Sequence, residues 1–368
     1  MKIIKVSNLE TSILGIRLVR LLLLLGALLL FKLNLIFPAI LSLLLLLVSL
    51  LSKWWSETGL KKLTAGYDLI PKRVFAGDNT TLKVIIANKK LLPAIITWKI
   101  KLPGAIKVNN STEEESNLSF SAILKWYETR EVSFALAAVK RGYYSLDYPC
   151  LVSSDGIGLY HTQAEIDDKK ELIVYPRILP LDDYGIKAHD LIGERIDKRY
   201  ILPDPIMIMG LREYSADMPA YLINWKASAK QDVLMAKLIE PSSDYKICIA
   251  MDGASFWEAE EGEAIFERAL SIAASIAVWA DEQRIPVGLL INVSQTGMDG
   301  PIAVPVNSGT NHMLLLLEKL ARAEYRPLGS WQDILQQSHQ ELPWGTTLVL
   351  IARDYVRIPN MVVIAARP

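Results

Sequence analysis

Cysteine and histidine are scarce in this chain, and the scarcity excludes much chemistry. Its 368 residues include two cysteines, Cys150 and Cys248, far apart and each inside an apolar run. No disulfide framework follows from such a pair. It reads as two buried free thiols in a reducing compartment. No C-x-x-C or Cys/His cluster suggests zinc. The four histidines, His161, His189, His312 and His339, are scattered, and neither H-E-x-x-H nor G-x-S-x-G occurs. A G-x-x-x-x-G-K-[ST] phosphate loop is also missing, and "DGIGLY" lacks the spacing of G-x-G-x-x-G. An excess of one charge is missing too. Lys+Arg and Asp+Glu number 40 each, so there is no general electrostatic footprint for nucleic acid. The composition calls for no cofactor.

What the chain has in excess is apolar residues, 51% of the total, crowded at the N-terminus. Two apolar stretches run from Leu18 to Phe31 and from Leu35 to Ser52, separated by Lys32–Asn34. Crossing the hydrocarbon takes ~20 residues of helix. Each stretch approaches that length if the first begins near Ile13 and Arg17 and Arg20 snorkel. A signal peptide does not account for the second stretch or for the missing small-residue cleavage site. Residues 1–56 are therefore expected to form a two-helix transmembrane hairpin with the bilayer as its first partner. Lys2, Lys5, Arg17 and Arg20 precede or open the first helix, and Lys53, Lys61 and Lys62 follow the second. The positive-inside rule then predicts a multi-pass protein of the inner (plasma) membrane with its soluble domains in the cytoplasm.

From about Tyr67 the apolar period becomes two. "TTLKVIIAN" (Thr80–Asn88), "ITWKIKLP" (Ile96–Pro103) and "REVSFALAAV" (Arg130–Val139) alternate or run apolar over strand lengths, with turn signals between them. The pattern predicts a β-sandwich over residues 65–180, a scaffold or binding module. A polar connector occupies 181–243. From 244 to 368 strands alternate with helices. "YKICIAM" ends at Asp252, helix "GEAIFERALSIAASIAVWADEQ" spans Gly262–Gln283, and "VGLLIN" spans Val287–Asn292. Helices are also expected over Asn311–Glu324 and Ser330–Leu342, and strands at Thr346–Ala352 and Met361–Ala366. Such alternation implies an α/β, mostly parallel, doubly wound sheet, with ligands at the carboxyl ends of its strands. Asp252 lies at that edge. The whole is a multi-domain chain of hairpin, sandwich and α/β unit.

Short motifs in a fixed order complete the reading: "RVFAGD" (Arg73–Asp78), "RGYYSL" (Arg141–Leu146), "DGIGLY" (Asp155–Tyr160), "VYPR" (Val174–Arg177), "GLREY" (Gly210–Tyr214) and "INWKASAK" (Ile223–Lys230). Together they resemble the bacterial and archaeal family called domain of unknown function 58, over nearly the whole length. The resemblance implies that residues 244–368 are similar to a von Willebrand factor A domain. It also implies a membrane-attached, non-enzymatic protein associated with MoxR-type AAA+ ATPases. The signature residues carried over are Arg212, Glu213, Tyr214, Trp225, Lys226, Ser228 and Lys230. The family pattern of G-D followed by Arg is absent, because Asp217, Met218 and Tyr221 stand at those positions.

In an A domain the metal site opens as D-x-S-x-S, whose hydroxyls suit Mg²⁺. Here the aligned residues are Asp252, Gly253, Ala254, Ser255 and Phe256, so both serine oxygens are missing. Asp252, Ser255, Thr310 and Asp354 remain as a degenerate set. Asp252 is expected to cap the first helical turn or accept loop N–H groups, and no bound metal is expected. The reading that follows is a non-enzymatic, membrane-anchored adaptor that presents the degenerate A-like domain to cytoplasmic proteins. Its alternatives are a structural component of an envelope or secretion assembly, and an enzyme using Asp252 with Asp354 or Asp299.

Overall fold

The structure, a computed structural model, describes residues 3–10, 17–109, 117–187, 191, 208–215, 218, 220–231, 233–239, 245–257, 261–298, 300–329, 342–343, 346–355, 358 and 361–366. The chain divides into two units, Met1–Arg177 and Ile178–Pro368.

The first unit opens with strand β1 (Ile3–Glu10), followed by helices α1 (Arg17–Lys32) and α2 (Ile36–Gly59). Among the described residues eleven further strands follow: β2 (Leu63–Ile70), β3 (Arg73–Phe75), β4 (Asn79–Asn88), β5 (Ala94–Lys101), β6 (Ile106–Val108), β7 (Asn117–Leu124), β8 (Thr129–Ala138), β9 (Gly142–Leu146), β10 (Cys150–Ser154), β11 (Tyr160–Ile166) and β12 (Lys170–Tyr175). They form sheets ordered β1-β11-β10-β5-β7, β2-β4-β8-β6 and β3-β12-β9. Alternation along each strand sends every second residue inward. In β4 these are Leu82, Val84 and Ile86, and in β5 Ala94, Ile96, Trp98 and Ile100, all in one shared core. Trp98 meets Phe120 at 5.8 Å and Tyr67 at 6.1 Å between ring centroids. This is the β-sandwich that the period-two pattern predicts.

Two features of this unit correct the sequence reading. Residues 3–10 do not belong to the hairpin; β1 pairs antiparallel with β11, from Ile3↔Ile166 to Glu10↔Tyr160. The ladder of β11 facing away from β10 offers unpaired backbone groups, and a chain end of strand propensity satisfies them. The second apolar helix also runs on to Gly59, past the expected end at Ser52. Ser49, Ser52, Ser56 and Gly59 recur at helical spacing and are buried, and α2 packs on β11, β10 and β5. Ser56 Oγ lies 2.9 Å from Thr162 Oγ1 and donates to Ser153 O at 3.3 Å. A Cβ on Gly59 would strike Ser153 Oγ, so the close approach needs glycine there. By length and composition, Ile36–Gly59 is a helix able to cross a membrane. The 16-residue α1 lies against it.

The second unit contains β13 (Ile208–Glu213), α3 (Trp225–Gln231), β14 (Met235–Ile239), β15 (Lys246–Met251), α4 (Ala254–Trp257), α5 (Gly262–Glu282), β16 (Val287–Ile291), β17 (Val293–Gln295), β18 (Ile302–Asn307), α6 (Thr310–Arg322), β19 (Ala323–Pro327), β20 (Thr346–Ala352) and β21 (Met361–Ala365). Its main sheet has the order β18-β16-β15-β20-β21. β16, β15, β20 and β21 are parallel, while β18 runs antiparallel to β16. β15 and β16 are buried along nearly their whole length, as befits strands covered on both faces. Helix α5 packs on β15, β16 and β20, and α6 packs on α5 and β18. Cys248, Ala250, Leu290, Leu348 and Leu350 form a separate cluster with Leu342 and Ile358. Most of the expected helix Ser330–Leu342 lies outside the described residues.

The connector is more regular than its polar composition suggests. β13 and β14 make an antiparallel hairpin around α3. Strands β17, β18 and β19 escape the sequence pattern: β17 is only three residues long, Pro301 and Pro305 break up the apolar run of β18, and the helix expected to reach Glu324 stops at Arg322, so that β19 begins at Ala323.

Candidate functional site

The carboxyl edge of the α/β sheet is the place to look for chemistry. In chain order the strands read 3-2-1-4-5, and the switch point lies between β15 and β20, where Asp252 follows Met251. The loop after β15 is tightly tied. Asp252 Oδ1 accepts from Ala254 N–H at 3.2 Å and from Asn292 Nδ2 at 3.0 Å. Ser255 Oγ donates to Asp252 O at 2.7 Å and accepts from Arg353 N–H at 3.3 Å. Ser255 thus staples the first loop to the loop after β20, across the switch point. Phe256 is fully buried, 6.1 Å from Phe266 between centroids.

Asn292 is the residue that the sequence reading passed over. It is 1% exposed. Its Oδ1 accepts from Gly253 N–H at 2.5 Å, and its Nδ2 also donates to Gly329 O at 3.1 Å. Its own carbonyl accepts from Leu328 N–H at 2.7 Å. One buried amide therefore joins three loops at this edge. A Cβ on Gly253 would run into Val293 Cγ1, so the turn needs glycine. The only hint in the sequence is a polar residue ending the apolar run "VGLLIN".

The degenerate metal set is not brought together. Asp354 follows β20 on the same edge as Asp252, but its side chain is 57% exposed and lies 3.4 Å from its neighbour Arg353. Thr310 is on the wrong edge. The antiparallel β18 returns the chain to the start of the parallel strands, where Asn307 faces Val287 and Val287 faces Ile247. The five strand residues from Ile247 to Asp252 place Thr310 on the order of 17 Å away. Among the described residues no group of three His, Cys, Asp or Glu side chains could hold a metal ion. Residue 299, the other aspartate of the enzyme reading, lies outside the described residues.

Beside this edge is a cleft of about 450 Å³ lined by Ser294, Gln295, Met298, Glu324, Arg326 and Leu328 among others. Its carboxylate is engaged, since Glu324 accepts from Ser294 Oγ at 2.8 Å and Thr296 Oγ1 at 2.9 Å. Trp257, 53% exposed, meets Tyr325 in a tilted contact, 4.9 Å between ring centroids. The Tyr325 hydroxyl donates to Phe256 O at 2.9 Å, and burial and then the Glu263 charge raise its pKa above the ordinary value. Neither thiol adds a nucleophile. Cys248 is buried and its thiol is pushed up to about 12 by burial, while burial and then Glu165 raise Cys150.

The signature residues gather on the connector hairpin. Arg212 and Glu213 are exposed on β13, facing Ala236 and Met235 of β14 in register. Tyr214 OH donates to Met218 O at 2.9 Å. Ser228 has a structural part: Oγ donates to Asn224 O and accepts from Met235 N–H, both at 2.9 Å, fastening α3 to β14. Trp225, 69% exposed, with Lys226 and Lys230, gives α3 an open aromatic and basic face.

No family model matches the chain. An uncharacterized protein of Bacillus subtilis, YeaD, is 24% identical over 268 residues, covering 72% of this chain and 63% of its own length. The chain thus spans less than two thirds of that relative. Among solved structures, the CARDB domain of a Pyrococcus furiosus protein in complex with di-metal ions has 13% identity and a TM-score of 0.20. The match covers 30% of this chain and 91% of that one. The native conformation of Escherichia coli alpha-2-macroglobulin has 12% identity and a TM-score of 0.23, over 32% of this chain and 7% of that one.

Proposed function

We propose that this protein is a non-enzymatic membrane adaptor of the domain of unknown function 58 type. Its two-helix hairpin crosses the bilayer, and a von Willebrand factor A-like domain offers a protein-binding face to the cytoplasm. The observation that carries the reading is the state of Asp252. Its carboxylate is used to hold its own loop, Ala254 supplies no oxygen, and Phe256 fills the core where a ligand would be needed. The strand order 3-2-1-4-5 supports an A-like arrangement. The open face of Trp225, Lys226 and Lys230 beside Arg212 and Glu213 supports docking by aromatic and charged contacts. A MoxR-type AAA+ ATPase is the partner that the family resemblance implies. A photo-crosslinking residue at Trp225 in the full chain, activated in membranes that also contain such an ATPase, tests it. A crosslinked ATPase adduct that Arg212→Ala with Lys226→Ala weakens is the expected result. No adduct from Trp225 or from Trp257 overturns the partner assignment.

A further inference from the structure

Strand directions in the sandwich place one set of loops at a single end. The β4–β5 connection (residues 89–93), the β7–β8 turn (125–128) and the β10–β11 turn (155–159) all lie where Leu63 faces Asn88 and Glu10 faces Tyr160. Helices α1 and α2 join the sandwich at that same end. The loop tips there are apolar and open: Leu91 is 72% exposed, Trp126 65%, Tyr127 66% and Ile157 67%. They are held firmly. Buried Asn88 donates to Leu92 O at 2.9 Å and Lys125 O at 2.8 Å, fixing two loops at once. Asp155 accepts from the N–H groups of Ile157, Gly158 and Leu159, so its charge is turned into the loop. Exposed Lys61, Lys62, Lys89 and Lys125 belong to the same end.

The reach of the hairpin gives these tips a use. Arg20 donates to Tyr160 OH, and Ser49 Oγ lies 3.2 Å from the same hydroxyl, so both helices touch the sandwich at one level. From there to the turn at Lys32–Ile36 is 12 to 13 residues of each helix, about 20 Å at 1.5 Å per residue. The hydrocarbon is roughly 30 Å thick. A hairpin whose turn reaches the far side therefore falls about 10 Å short of spanning at the level of Tyr160, and so presses that end of the sandwich hard against the near leaflet.

We propose that this end of the sandwich is a membrane-binding surface in its own right. Leu91, Trp126, Tyr127 and Ile157 sit at headgroup depth, and the four lysines contact an anionic leaflet. Aromatic rings at this depth and lysines over anionic lipid are the chemistry such an interface selects. The sandwich is then fixed against the bilayer and does not swing on a tether. The proposal rests on the hairpin reading, and the two separate experimentally.

The full chain with Cys150→Ala receives a nitroxide at Leu91→Cys, Ile157→Cys or, at the opposite end, Lys140→Cys, and is placed in nanodiscs. Collisions with oxygen and with a water-soluble nickel chelate report depth. In discs containing phosphatidylglycerol, probes at 91 and 157 should be several-fold better shielded from nickel than the probe at 140. Pure phosphatidylcholine, or Lys→Glu at positions 61, 62, 89 and 125, should reduce that shielding. Probes at 91 and 157 as nickel-accessible as the one at 140, in a chain that stays in the disc, overturn the proposal. Shielding that is indifferent to lipid charge and to the lysines overturns its anionic part. Extraction of the unmodified chain from vesicles by alkaline carbonate defeats the hairpin reading instead.

Discussion

At the scale of single residues, the switch point is built for rigidity. Asn292 gathers three loops and Ser255 staples two. A working micromolar Mg²⁺ site would add roughly 4 kcal/mol at millimolar metal. We expect no Mg²⁺-dependent rise in melting temperature for the full chain in detergent. Restoring the serine pattern should not create a site. Phe256 has no exposed surface, and removing such a ring costs about 3–5 kcal/mol. Ala254→Ser with Phe256→Ser should therefore melt well below the unmodified chain with and without metal. A saturable Mg²⁺ or Mn²⁺ stabilisation that vanishes in Asp252→Ala is the contrary result, and calorimetry reads both.

At the scale of elements, the end of α2 depends on a buried lysine. Lys90 Nζ donates to Gly59 O at 2.5 Å and to Thr58 O, meeting two of the carbonyls that a helix leaves unpaired at its end. Burial, and then the neighbouring Lys61 charge, lower Lys90 from 10.5 to about 8. Below about 8 the ammonium is charged whether the chain is folded or not. Between about 8 and 10.5 the folded state has released the proton and the unfolded chain still holds it, so this group's contribution to stability rises with pH. The stability of the unmodified chain minus that of Lys90→Met should climb across this window. Chemical denaturation at stepped pH measures it, and a flat difference excludes the shifted lysine as the cause.

At the scale of the whole molecule, the arrangement of charge at the N-terminus predicts topology. Basic residues flank the hairpin on the side of both chain ends, and Lys32 is the sole charge in the turn. A reporter active only in the cytosol, fused after Pro368, should be active. Activity of an export-dependent reporter at that position would place the sandwich and the α/β unit on the other side and remove the basis for a cytoplasmic partner.

The sandwich was open to reading from sequence because inward and outward residues alternate in β4, β5 and β8 whatever lies around them. The parallel core was legible for the same kind of local reason: strands buried on both faces are continuous apolar runs, as in β15 and β20. The long helix α5 was legible from Ile265, Ala269, Ile272, Ile276 and Trp279 at helical spacing; Ala269, Ile272 and Ile276 are buried, while Ile265 and Trp279 at the flanks are only half-buried. Tertiary structure alone decided the rest. Residues 3–10 have strand propensity, but that β11 has an open ladder to receive them is a property of a distant segment. Thr310 stands far from Asp252 because β18 runs antiparallel, and strand direction is set by how the sheet closes. Asn292 matters because three loops distant in sequence meet at its amide. Residue types and periods are local quantities and survive in the sequence; ladder partners, strand direction and loop convergence are relations between distant segments, fixed only when the chain packs.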